Sequence, residues 1–204
     1  MEKSERKIYV LGITGGVGAG KSTVLSYLKD QYGAYILEAD KVGHIVQQPG
    51  QACWKRIVDT FGRDILNEDQ TIDRGRLGAI VYADREKLEI LNAIVHPAVR
   101  LYIEDEIRRL RDSAAFLVIE AALLLEAHYD EICDEVWYIY ADEQTRTERL
   151  IRSRGYTEER ARQIMGNQLR DEEFRRRCSV VIDNSGDCVS AACRQIDDAM
   201  KKLS

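Results

Sequence analysis

The chain has 204 residues, of which 45% are hydrophobic and 32% charged, with a formal net charge of −5. That length allows one domain with a real core and room for a subdomain. The acidic balance argues against a general nucleic-acid or membrane-surface role, and no apolar run reaches the length of a transmembrane helix. Met1 to Lys7 is charged and lacks the apolar centre of a secretory leader. The five cysteines, Cys53, Cys133, Cys178, Cys188 and Cys193, form no C-x-x-C pair. Reduced thiols and a cytoplasmic setting are therefore expected.

Ile8 to Ile13 is a short β-favouring apolar run and predicts a buried strand. Directly after it, Gly15-Gly16-Val17-Gly18-Ala19-Gly20-Lys21-Ser22 fits G-x-x-x-x-G-K-[ST], the phosphate-binding P-loop. Val24, Leu25 and Leu28 then recur at helical spacing, so a helix opens at about Gly20. The glycines let the backbone curl with its N–H groups pointing inward. Those donors, together with the helix N-terminus, suit a polyphosphate. Lys21, expected to stand exposed at the loop mouth, reaches the β- and γ-phosphates in this reading, and the Ser22 hydroxyl ligates Mg²⁺. A glycine-rich turn that merely contains Lys-Ser is the alternative, and the strand before it and the helix after it weigh against that.

Ala34 to Ala39 predicts a second strand ending at Asp40. Lys41 to Asp112 is polar and helical in pattern, with turn signals at Pro49-Gly50, Gly62 and Asn67-Glu68-Asp69. His96-Pro97 is expected to start a helix whose Val99, Ile103, Ile107 and Leu110 share one face. Roughly 70 residues of helix between two strands exceed a simple crossover. They read as a helical insertion able to hold a substrate, or as helices that only pack on the sheet. Ala115 to Glu120, Glu135 to Tyr140 and Ser179 to Ile182 predict three further strands. Asp183-Asn184-Ser185-Gly186 follows, and then a helix with Val189, Ala192, Cys193, Ile196, Met200 and Leu203 on one face. Strands alternating with helices predict a parallel sheet covered on both faces, with ligands beyond the carboxyl ends of its strands. The P-loop, Asp40, Glu120 and Asn184 all fall at such ends.

Glu38 and Asp40, two apart on the predicted strand, face the same side. Asp40 either orients an acceptor hydroxyl and takes its proton as the bond to phosphorus forms, or caps a helix starting at Lys41. Glu120 either holds Mg²⁺ through water or is an ordinary edge carboxylate. Glu143 to Arg177 is rich in arginine and has no lysine. Ion pairs along solvated helices account for most of these arginines. Arg152-Ser153-Arg154-Gly155-Tyr156 lies between two helical patterns, the second beginning near Thr157 with Ala161, Ile164, Met165 and Gln168 on one side. Helix, arginine-rich turn, helix is the form of a kinase lid. Such a lid can bring one or two of these arginines, Arg152 and Arg154 among the candidates, onto a transferring phosphoryl group and exclude water.

The ordered set of motifs resembles the dephospho-coenzyme A kinase family, within the P-loop nucleoside-monophosphate-kinase-like group. Gly12 to Thr23 resembles the family's opening, and Glu38-Ala39-Asp40 its Asp-Ala-Asp motif with Glu in first place. Phe61-Gly62, Ile72-Asp73-Arg74 with Leu77, and Leu91 to His96-Pro97 resemble its middle segments. Ala122-Leu123-Leu124-Leu125-Glu126 resembles a Pro-Leu-Leu-aromatic-Glu motif in which Ala122 and Leu125 depart, leaving a softer rim there. Ile182-Asp183-Asn184-Ser185-Gly186 resembles the closing Ile-Asp-Asn-x-Gly.

The resemblance implies an α/β P-loop NTPase three-layer fold with a five-stranded parallel sheet. The core is expected over about 1–40, 113–142 and 178–204, the substrate-binding insertion over about 41–112 and the lid over about 143–177. It implies transfer of the ATP γ-phosphate to the ribose 3′-hydroxyl of dephospho-coenzyme A, the last step in making coenzyme A. Asp40, Lys21 and Arg154 are the implied catalytic residues. Gly16, Val17, Gly18, Ala19, Gly20, Lys21, Ser22, Thr23 and Asn184 are the implied nucleotide contacts, with Ser22 on Mg²⁺. The implied protein is a monomer or weak homo-oligomer acting on small molecules. A kinase of the same fold with another hydroxyl or nucleoside monophosphate acceptor is the nearest alternative. A regulatory GTPase would carry Asn-Lys-x-Asp after a strand, which this chain lacks. An ATP-binding module without catalysis is the third reading.

Overall fold

The computed structural model describes residues 8–111, 113–114, 116–186 and 189–203. Expectations that fall on Met1 to Lys7, Asp112, Ala115, Cys188 and the Val189 side chain lie outside that description. The described contacts divide the chain into two compact units. One comprises Met1–Ile36 with Arg111–Ser204, the other Leu37–Leu110.

In the first unit, β1 (Tyr9–Thr14) runs between β3 (Phe116–Glu120) and β4 (Glu135–Tyr140), parallel to both. With β2 (Tyr35–Glu38) and β5 (Val180–Asp183) the sheet order is β2-β3-β1-β4-β5, and β4 pairs in parallel with β5. β1 is buried on both faces, which is why its sequence reads as an apolar run rather than an alternation. Leu11 and Ile13 join Val24, Leu25 and Leu28 of α1 (Lys21–Tyr32) and Ala192, Ile196 and Ala199 of α9 (Val189–Leu203) in one core. Tyr27 and Tyr32 of α1 both donate to Asp197 Oδ1, at 2.8 and 2.7 Å, tying the P-loop helix to the last helix. On the other face, a side chain added at Gly12 would run into Cys133, Leu124 and Val136, and Tyr138 stacks on Phe174 of α8 (Asp171–Arg177). α1 ends at Gly33, whose left-handed φ of 64° lets its N–H bond back to Lys29.

The second unit holds α2 (Ala39–Val46), α3 (Ala52–Phe61), α4 (Arg74–Tyr82) and α5 (Arg85–Leu110). Ile57, Ile65, Leu77, Val81, Ile94, Val99 and Ile103 are buried in it. Asp73, part of the Ile-Asp-Arg motif, caps α4 by accepting from Gly75 N and Arg76 N at 2.8 and 3.0 Å. Pro97 does not start a helix: it lies inside α5. Proline removes one backbone donor and disfavours a helix interior. Here buried Ile94 on one side and Val99, Ile103 and Leu110 on the other hold the helix through it.

Candidate active site

The first connection runs from the carboxyl end of β1 through α1 to β2 on one flank. α6 (Glu143–Arg154) leads instead from β4 toward β5 on the other flank. The chain therefore reverses direction around β1, and a crevice opens at such a point beyond the strand ends. Gly15 to Ser22 leaves β1 there.

The loop's shape depends on its glycines. Gly15, Gly18 and Gly20 have φ of 151°, 80° and 84°. A Cβ on Gly15 would sit 2.4 Å from the Ile139 carbonyl oxygen, and one on Gly20 2.3 Å from Asn184 Nδ2. Backbone hydrogen bonds from Ala19 N to Gly16 O and from Thr23 N to Gly20 O close the curl, and α1 begins at Lys21. Lys21 is not exposed at the loop mouth. Its side chain is only 14% accessible, its Nζ donates to Gly15 O at 2.9 Å, and it pairs with Glu120 at 3.5 Å. Glu120 closes β3, an interior strand, so it is neither an edge carboxylate nor free of protein partners. Ser22 and Thr23 are exposed on the first turn of α1.

Two arginines of α6 clasp the loop. Arg146 Nε donates to Val17 O at 2.9 Å, and its Nη2 donates to Gln168 Oε1 at 2.8 Å. The guanidinium lies across Gly16, where a Cβ would come within 2.3 Å of Nη2. Burial pulls the Arg146 pKa below the usual arginine value. Arg149 Nη1 reaches Ala19 O at 3.3 Å, and its Nη2 donates to Asn184 O and Gly186 O at 2.9 and 2.8 Å. Buried Asn184 donates from Nδ2 to Ala19 O at 2.8 Å. Asp142 anchors this side by capping α6: it accepts from Thr145 N and Oγ1 at 2.7 and 2.8 Å, and its own N–H donates to Ser185 Oγ. These hydrogen bonds hold the Asp142 carboxyl below its ordinary pKa.

Arg154 and Arg152 occupy the last turn of α6, not an interhelical turn, and both are exposed. Among the described residues Arg154 makes no hydrogen bond or ion pair. The turn is Gly155–Thr157, with Thr157 capping α7 (Glu158–Gly166) as expected. Asp40 belongs to the second unit. β2 stops at Glu38 and α2 opens at Ala39, so Asp40 is exposed on the first helical turn and does not share a strand face with Glu38. Glu38 instead pairs with Lys41 at 2.6 Å. The helix starts earlier than expected because buried Ala39, Val42 and Val46 lie on one helical stripe. Leu125 is fully buried, so the Ala-Leu-Leu-Leu-Glu segment meets the core at that position and leaves Leu123 at the surface.

The sequence reading missed Arg146, Arg149 and Gln168 as loop partners. One signal was present: Arg146 and Arg149 are three apart, hence on one helix face, and are the arginines nearest the carboxyl end of β4. With its curled amides, buried lysine and two arginines, this end of the sheet is built to hold a polyphosphate.

The fold and this loop define a P-loop protein of the kinase type. The dephospho-CoA kinase family model matches residues 9–190. The dephospho-CoA kinase of Carboxydothermus hydrogenoformans is 39% identical over 178 residues, covering 87% of this chain and 86% of that protein. That of Shouchella clausii is 38% identical over 194 residues, covering 94% and 97%. Among solved structures, TT1252 from Thermus thermophilus aligns with a TM-score of 0.81 at 26% identity, over 97% of this chain and 98% of that one. The chain belongs to the dephospho-CoA kinase family and is a transferase that uses ATP.

Proposed function

We propose that the protein transfers the γ-phosphate of ATP to the ribose 3′-hydroxyl of dephospho-coenzyme A, giving coenzyme A and ADP. The observation that carries this reading is the P-loop clasped by Arg146 and Arg149, within a chain that matches the family over nearly its whole length. The 3′-oxygen forms its bond to the γ-phosphorus, the bond from phosphorus to the β,γ-bridging oxygen breaks, and ADP leaves. Asp40 takes the hydroxyl proton. Its carboxylate is exposed on the first turn of α2, open to that task. Lys21 turns from Gly15 O to the β- and γ-phosphates, and Glu120 keeps it oriented. The amides of Gly18 to Ser22 hold the β-phosphate. Arg146 lies where charge develops on the transferring group. Arg154, exposed on the last turn of α6, comes in with the lid. Asn184 and its loop hold the adenine side. The second unit, from Leu37 to Leu110, holds the acceptor.

Mg²⁺ fits this site through one hydroxyl, Ser22 Oγ, exposed at the start of α1. Magnesium commonly takes few protein ligands and completes its shell with water and phosphate oxygens. When bound it would neutralise the negative charge of the phosphates during transfer.

The test offers dephospho-coenzyme A, adenosine and AMP in turn with Mg²⁺-ATP and locates the new phosphate by NMR. Phosphate on the 3′-oxygen of dephospho-coenzyme A, with far slower turnover of the truncated acceptors, is expected, because remote binding energy positions the hydroxyl. Equal turnover of AMP, or phosphate added to an existing phosphate, overturns the reading.

A further inference from the structure

Gln168 stands just beyond α7, its own N–H bonded to Met165 O at 3.2 Å. Its side-chain oxygen accepts from Val17 N at 3.0 Å and from Arg146 Nη2 at 2.8 Å. Arg146 Nε in turn donates to Val17 O at 2.9 Å. The three residues thus form a closed ring of hydrogen bonds joining the P-loop, α6 and the segment after α7. A backbone N–H and a guanidinium are donors only, so the amide has to present its oxygen to both. That fixes the Gln168 side chain without ambiguity of amide orientation. The ring also removes the Val17 N–H from the set that a phosphate can use, leaving the amides further along the loop. Its effect on Arg146 is geometric. With Nε and Nη2 both engaged, the guanidinium plane is fixed across Gly16, and among the described residues Nη1 makes no hydrogen bond and stays open to a ligand.

We propose that Gln168 is a positioning residue for phosphoryl transfer: it acts through Arg146, setting the guanidinium plane and joining the segment after α7 to the P-loop. This rests on the phosphoryl-transfer reading given above. Planar, pre-set arginines lose less freedom when they bind phosphate, and the benefit is greatest for charge that appears only in the transition state. Losing Gln168 therefore lowers kcat more than it raises the KM for ATP.

The test uses Gln168→Met, which keeps length and volume but removes the acceptor, alone and combined with Arg146→Ala. Loss of one hydrogen bond to a charged group predicts a kcat lowered about 10- to 100-fold in Gln168→Met, with the KM for ATP changed far less. In the Arg146→Ala background the same substitution costs nothing further, because its route of action is gone. A second readout needs no acceptor substrate: the Arg146 Nε–H resonance, protected in the parent protein, broadens or exchanges faster in Gln168→Met. Gln168→Glu, which keeps an acceptor for both donors, restores it. Additive losses in the double variant, or an unchanged Arg146 resonance, overturn the proposal. If the parent protein fails to phosphorylate dephospho-coenzyme A while the resonance still responds to Gln168→Met, it is the substrate reading that falls.

Discussion

Gly15 and Gly16 are neighbours in one loop, and the structure gives their alanine variants opposite phenotypes. At Gly15, φ is 151° and an added Cβ meets the backbone oxygen of Ile139 at 2.4 Å. That oxygen belongs to β4, which pairs with β1, so relieving the clash means moving the sheet. An overpacking cost of about 3 kcal/mol is expected, or a Tm lower by roughly 6–12 °C for a chain of this size. At Gly16 the obstacle is the Arg146 guanidinium, 2.3 Å from the added carbon, the far end of a long flexible side chain. Arg146 swings away and gives up its bonds to Val17 O and Gln168 Oε1. Water replaces part of those, so the stability loss is about 1 kcal/mol or roughly 2–4 °C. The catalytic loss is larger. Displacing a charged donor from the developing phosphoryl charge costs roughly 10²- to 10³-fold in kcat. Thermal melts and a coupled assay of ADP release on both variants measure the contrast. A Gly16→Ala protein that melts normally and keeps its parental kcat refutes the placement of Arg146 in the chemistry.

Asp40→Asn is expected to lower kcat roughly 10²-fold, the range for loss of a general base, with its Tm little changed because the side chain is exposed and Asn keeps its size. A lower Tm with full turnover would make Asp40 a stabiliser of α2 instead. Asp142→Ala removes the α6 cap, worth about 1 kcal/mol or roughly 2–4 °C at neutral pH. The folded-state pKa of Asp142 is depressed by its hydrogen bonds, so this contribution is present above the ordinary aspartate pKa and fades as pH falls through the folded value. Melts of parent and variant should therefore converge on acidification; a gap of constant size at every pH would show that the charge on Asp142 is irrelevant.

The sheet was legible because a strand buried on both faces leaves a run that local pattern cannot hide. Glu135–Tyr140 matches the expectation at both ends. Boundaries slipped where side chains decide them over a longer range. β2 is a short flanking strand of four residues, and the stripe of Ala39, Val42 and Val46 pulls the following turn into α2. Pro97 lies inside α5 for a related reason: the preference of proline for the first turn of a helix is local, whereas the apolar residues that keep α5 continuous lie on both sides of it.

The site divides along the same line. The P-loop is a contiguous motif whose glycines answer to backbone geometry, and a sequence carries that directly. The arginines that serve it are set by packing. From Glu143 to Arg177, composition gives many equivalent candidates, and a lid argument favours those between the two helical patterns, Arg152 and Arg154. What distinguishes Arg146 is its distance from a cap. Asp142 fixes where α6 begins, by bonds to Thr145 and Ser185, and the first full turn after it falls against the loop leaving β1. Arg149 lies one turn further and meets Ala19 and the Asn184 carbonyl. Arg154, more than a turn beyond that, is exposed. The Asp-Asn-Ser-Gly loop supplies a bond to the start of α6, so a motif legible in the sequence also helps set which arginines lie against the P-loop.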